Sequence, residues 1–134
     1  MAVIDAAAAV CELPVMCTLT VESDGSLFFG GNIYDAVETL EQMGADAVGI
    51  NCSTGPDQLV SVVKNIREKV SIPVIVKPNA GMPVIDEKGN PVYSMGAEEF
   101  AEHMKVLTEA GADIVGGCCG TTPEYIRKLA DILK

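Results

Sequence analysis

Tryptophan is absent from this 134-residue chain, and aromatic residues make up only 4% of it. A core must therefore be assembled from Val, Ile, Leu, Ala and Met, each contributing a modest buried area. Basic residues are also scarce. Nine Lys and Arg stand against nineteen Asp and Glu, a formal net charge of -10. So acidic a surface repels phosphate backbones and anionic lipid, which argues against nucleic acid and membrane surfaces as partners. No apolar run reaches the roughly 20 residues of a membrane span, and "MAVIDAAAAVCELPV" lacks the basic first segment of an export signal. The expected compartment is the cytoplasm, where five cysteines suit metal binding or catalysis better than a disulfide framework.

What is present is an alternation of apolar runs. Hydrophobic residues make up 49% of the chain, enough for one domain over residues 1–134. "LPVMCTLTV" (13–21), "DAVGINC" (46–52), "IPVIVKPNAG" (72–81) and "DIVGGCC" (113–119) read as strands, apolar on both faces as a buried parallel sheet requires. Each precedes a segment with helical spacing: "IYDAVETLEQMGA", "GPDQLVSVVKNIREKV", "AEEFAEHMKVLTEAG" and "TPEYIRKLADILK". Four strand–helix units predict an α/β fold. The stretches 22–32 and 82–96 read as loops on the face where the strands end.

An internal repeat sharpens this. "GADAVGINCSTGPD" (44–57) aligns without a gap on "GADIVGGCCGTTPE" (111–124), sharing Gly, Ala, Asp, Val, Gly, Cys, Thr and Pro. Cys52 and Cys119 become equivalents, and Cys118 takes the position of Asn51. In a parallel barrel the C-terminal strand ends converge on one face. Cys118 is then expected to point inward, with Cys52 and Cys119 on the rim, so that three thiols meet. Three protein thiolates with an open fourth position is a catalytic zinc arrangement rather than a closed structural one.

"GINCSTGP", "VIVKPNAG" and "IVGGCCGTTPEYI" resemble the C-terminal half of the barrel of the homocysteine S-methyltransferase family, in the right order over nearly the whole chain. The resemblance extends to the homocysteine-binding domains of cobalamin-dependent methionine synthases. It implies half of a TIM (β/α)8 barrel, strands five to eight, preceded by a short helix. It implies Zn2+ on Cys52, Cys118 and Cys119, homocysteine as substrate and methionine as product. The thiolate is the reactive form of a thiol, and zinc coordination removes the proton. The family's Gly-rich first strand and the acidic residues for the substrate's ammonium group are expected in the absent half. "AVIDAAAAVCE" begins as a helix without a capping residue, as if the chain starts inside helix four of the barrel. The expected partner is therefore a complementary N-terminal half, or a second copy closing a homodimeric barrel. Activity of the isolated half is expected to be weak or nil. The methyl donor, methylcobalamin or a folate, is expected to be presented from outside this chain.

Around this centre, Asn79 and Asn51 are candidate contacts for the substrate's amino-acid moiety, with turn formation as the structural alternative for Asn79. Lys77 shares the parity of Asn79. Cys11 and Cys17 are expected in or near the core, and His103 facing solvent. Two other readings stand beside the methyltransferase. One is a zinc-binding scaffold without activity of its own. The other is a phosphate cradle formed by Gly116, Gly117 and the following helix N-terminus, which leaves the three cysteines unexplained.

Overall fold

The computed structural model describes residues 2–134. Helix α1 (Ala2–Val10) leads into β1 (Met16–Leu19), α2 (Ile33–Gln42) and β2 (Ala47–Cys52). A 3-10 turn at Pro56–Gln58 precedes α3 (Val60–Lys69) and β3 (Val74–Pro78). A hairpin of β4 (Pro83–Ile85) and β5 (Pro91–Tyr93) follows, then α4 (Ala97–Glu109), β6 (Ile114–Val115) and α5 (Pro123–Leu133). The main sheet has order β1-β2-β3-β6 and every pairing in it is parallel.

Alternation along the central strands sorts the two faces. Val48 and Ile50 of β2 and Val74 and Val76 of β3 are buried in one cluster with Val62, Val63 and Ile66 of α3 and Phe100, Met104 and Leu107 of α4. The opposite face carries Gly49 and Asn51 beside Ile75 and Lys77, paired in register. Gly49 is required sterically, because a Cβ there would overlap the Ile75 carbonyl. At the two sheet edges Met16 and Ile114 remain exposed, as unpaired edge strands allow.

The sequence repeat is a repeat of hydrogen bonds. Gly44 and Gly111 end α2 and α4 with φ of 95° and 122°, a left-handed conformation that favours glycine. Two residues on, Asp46 N donates to Val15 O (2.8 Å) while Val15 N donates to Asp46 Oδ2 (2.7 Å). In the second copy, Asp113 N donates to Val74 O (2.9 Å) and Val74 N donates to Asp113 Oδ2 (2.9 Å). Each Asp thus fixes the start of its strand against the neighbouring one. Asp113 also takes the Arg67 guanidinium at 2.8 Å.

The structure departs from the sequence expectations in several places. The first strand is shorter than 13–21, and the fourth is regular only at Ile114–Val115 rather than over 113–119. Beyond Val115 its backbone bonds β3 only at alternate residues, through Gly116 N to Val76 O (3.1 Å) and Cys118 N to Pro78 O (2.8 Å). The stretch 82–96 is not a plain loop but carries the β4–β5 hairpin. Proline starts each of its strands, which masks the strand signal and suits an edge position. Cys11 is exposed rather than near the core, just past the end of α1, whereas Cys17 packs against the core. His103 is half-buried rather than solvent-facing. No helix among the described residues is long and apolar enough to cross a membrane.

Candidate metal centre

The C-terminal ends of β2, β3 and β6 deliver all the parts. Cys52 is the last residue of β2, and the chain turns sharply there: Cys52 and Ser53 have φ of 52° and 67°. Two successive non-glycine residues in the left-handed region cost roughly 1–2 kcal/mol each, so local bonds must hold them. In the repeat, Ser53 stands where Gly120 (φ 81°) stands in the second copy. The Ser53 side chain supplies the restraint, as Oγ accepts from Val21 N (3.0 Å) and donates to Asn51 O (3.1 Å).

The second cysteine loop is fixed as firmly. Cys118 O accepts from Thr121 N (3.2 Å) and Thr121 Oγ1 (2.7 Å). Cys119 O accepts from Ala80 N (2.9 Å), and Cys119 N donates to Asn79 Oδ1 (3.1 Å). Asn79 completes the link: its Nδ2 donates to Ser53 O (3.4 Å) and its backbone N to Thr54 O (3.1 Å). One amide on β3's extension therefore ties the loop carrying Cys52 to the loop carrying Cys118 and Cys119.

These restraints bring the three sulfurs within 4.8 Å of one another. Cys119 Sγ lies 3.9 Å from Cys52 Sγ and 4.0 Å from Cys118 Sγ. Thiolates about 2.3 Å from a tetrahedral zinc are about 3.8 Å apart, so these two edges fit the ion. The third pair, Cys52 and Cys118, has its sulfurs in contact and its Cα atoms 5.4 Å apart. That Cα separation lies within the disulfide range. The cluster thus has two exclusive chemistries. Reduced, it offers three soft ligands; with Cys52 and Cys118 joined, only Cys119 remains free.

Cys52 and Cys118 are half-buried and Cys119 is exposed, so the cluster opens toward solvent on one side. Tyr93, at the end of β5, stands on that side. Burial foremost, and then the neighbouring Cys119 thiol, push the Tyr93 pKa above its ordinary value. Asn51 lies beside the cluster and lines a cleft of about 400 Å3 with Thr18, Thr20 and Phe28. The glycines before the paired cysteines serve packing: a Cβ on Gly117 would overlap the Thr121 side chain, and one on Gly116 would touch Lys77.

Cys52, Cys118, Cys119 and Asn79 are thus gathered at one point, and Asn51 sits at its margin. Sequence reasoning missed two contributors. Tyr93 arrives on a hairpin with no strand signal, and Ser53 holds a turn that its type does not announce, although its alignment with Gly120 was a usable clue.

Residues 1–133 match the family model for homocysteine S-methyltransferase. Methionine synthase of Mycobacterium leprae is 40% identical over 120 residues, covering 89% of this chain and 10% of that protein. Two crystal structures of the homocysteine methyltransferase MmuM from Escherichia coli share the fold at 24% identity. The oxidized form aligns with a TM-score of 0.77 and the metallated form with 0.75, each covering 98% of this chain and 40% of that one. The chain therefore spans a tenth of the first relative and two fifths of the second, and its fold matches part of the Escherichia coli protein's. It belongs to the homocysteine S-methyltransferase family.

Proposed function

We propose that this chain is the metal-binding half of a barrel that methylates homocysteine to methionine, with Zn2+ held by Cys52, Cys118 and Cys119. The observation that carries the reading is the convergence of those three sulfurs within 4.8 Å. It is supported by the metallated form of the Escherichia coli relative. Four strands followed by helices support an assignment to strands five to eight of the barrel, with residues 1–134 as one (βα)4 unit.

Zinc, when bound, lowers the pKa of a thiol ligand and keeps it as a thiolate at neutral pH. The chain's own residues prepare that event. Ser53 holds the strained turn that presents Cys52, and Asn79 spaces it from Cys119. The opening beside Cys119 leaves room for a fourth, exchangeable thiol. Asn51, and the second lone pair of Asn79 Oδ1, provide polar contacts for the amino-acid end of homocysteine. The methyl donor, methylcobalamin or a folate, approaches from outside this chain. The remaining substrate contacts come from a complementary N-terminal half-barrel, or from a second copy across the open edges at β1 and β6. The compartment we assign is the cytoplasm, where thiols stay reduced.

The test is complementation. The zinc-loaded chain, mixed with an N-terminal half-barrel of a family member and a methyl donor, should form methionine. Cys119→Ser in the same mixture should not. Equal turnover by both would overturn the reading. Light scattering of the chain alone decides the second-copy variant: a mass near twice 14.0 kDa supports it, and a folded species at the single-chain mass rejects it.

A further inference from the structure

Among the described residues, Lys77 is the only charged residue in the four strands of the main sheet, MCTL, AVGINC, VIVKP and IV. Val74 and Val76 of the same strand belong to the helix-side cluster. Lys77 therefore stands on the opposite face, beside Asn51, its partner in register. A Cβ on Gly116 would lie 3.4 Å from Lys77 Cγ and 3.8 Å from its Cδ. The lysine stem thus runs across the backbone just before the paired cysteines, where glycine leaves it room. The next pair in register is Pro78 with Cys52, so Lys77 lies one step below the level at which the metal loops begin. It is half-buried, and among the described residues it enters no ion pair.

An ammonium enclosed by a barrel needs a counter-charge, and the strand residues around this one, Gly49, Asn51, Ile75 and Gly116, are uncharged. The chain as a whole carries -10 and repels anions, and three thiolates at the strand ends add to that repulsion. An anionic group on a substrate therefore needs a local cation to enter, and Lys77 is the one the sheet provides. The cleft of about 400 Å3 that Asn51 lines with Thr18 and Thr20 adds polar but uncharged partners.

We propose that Lys77 binds the α-carboxylate of homocysteine and sets the preference of the site for amino-acid thiols over simple ones. This inference rests on the methyltransferase reading above. With the substrate sulfur held at the cysteines, the rest of the molecule extends down the sheet face where Lys77 and Asn51 lie side by side. The flexible stem lets the ammonium follow the carboxylate. Methionine keeps the same carboxylate, so Lys77 holds substrate and product alike. Its contribution is to binding rather than to the barrier for methyl transfer.

The cobalt(II)-loaded full chain, titrated with thiols while sulfur-to-cobalt charge transfer is followed, yields a dissociation constant for each. The probes are homocysteine, mercaptobutyrate, which lacks only the ammonium, and aminopropanethiol, which lacks only the carboxylate. The parent should bind the two carboxylates on the order of tenfold more tightly than aminopropanethiol, as a charge-assisted hydrogen bond provides. Lys77→Met should abolish that preference by weakening the carboxylates alone, and Lys77→Arg should restore most of it, which a purely structural role would not do. Parental preference in Lys77→Met, or a parent with no preference, overturns the proposal. If Lys77→Met weakens only the association with an N-terminal half-barrel, the lysine pairs with a carboxylate of that half and the proposal falls. A parent chain that takes up no cobalt overturns the metal reading, and this inference with it.

Discussion

Asn79 Oδ1 accepts a hydrogen bond from the backbone N of Cys119 at 3.1 Å, while the same amide's Nδ2 reaches Ser53 O at 3.4 Å. Forty residues separate Asn79 from Cys119 and twenty-six separate it from Ser53. A single side chain thus links two loops that backbone bonds from Asn79 N to Thr54 O and from Ala80 N to Cys119 O also hold against β3.

Removing that amide should loosen the centre without unfolding the sheet. Asn79→Ala should weaken zinc binding by about 10–100-fold, the usual cost of losing an outer partner of a metal ligand. Asn79→Asp keeps the acceptor for Cys119 N and loses the donor to Ser53, so its affinity should fall between the two. Competition with a chromophoric chelator measures both. Parental affinity in the Ala variant would contradict the bridging role.

The cysteines should separate cleanly into ligands and bystanders. Cys119→Ser should abolish stoichiometric zinc binding, and Cys11→Ser should leave it unchanged, since Cys11 is exposed at the end of α1. Metal analysis after gel filtration is the measurement. Oxidation should mimic the first substitution, because joining Cys52 to Cys118 withdraws two of the three ligands; reductant should restore uptake.

Gly49 offers a test of the sheet rather than of the metal. Gly49→Ala places a methyl group against the Ile75 carbonyl, where neither backbone can move freely. Destabilisation of about 1–3 kcal/mol follows from such overpacking, lowering Tm by on the order of 10 °C. Thermal unfolding by circular dichroism checks this, and an unchanged Tm would mean the strands separate more easily than their register implies.

The hairpin turn supplies a pH dependence. Asp86 Oδ1 accepts from Lys88 N (2.9 Å) and Asn90 N (2.8 Å). The bond from Asn90 foremost holds the Asp86 pKa below its ordinary value of 3.8. A depressed carboxylate stabilises the folded turn above its unfolded pKa, and that stabilisation is lost as pH falls through the folded value. The turn should therefore stay intact down to 3.8 and loosen only below it. Amide shifts of Lys88 and Asn90 followed by NMR report it. A midpoint above 3.8 would contradict the bonding.

The strand–helix alternation was legible because the apolar runs are long and the helices amphipathic. The three sulfur positions were legible because the repeat superposes Cys52 on Cys119. What escaped depends on side chains crossing between segments. Nothing local distinguishes an Asn79 that staples two loops from one that merely turns the chain. The hairpin strands "PVI" and "PVY" are three residues each, begin with proline, and expose most of their apolar residues, so no period could form. The shortened fourth strand has a different cause. Gly116 and Gly117 carry no side chain to pack on a pleat, and past Val115 the backbone leaves the regular strand while its bonds to Val76 and Pro78 carry the paired cysteines beside β3.

The central claim is that three thiolates of this chain hold one zinc ion. Zinc-edge X-ray absorption on the reduced chain, at a measured metal-to-chain ratio, tests it most directly. The account predicts one zinc per chain with three sulfur scatterers at about 2.3 Å and one lighter ligand, which becomes a fourth sulfur when homocysteine is added. A shell of nitrogen and oxygen alone, or a ratio far below one in the reduced chain, would contradict it.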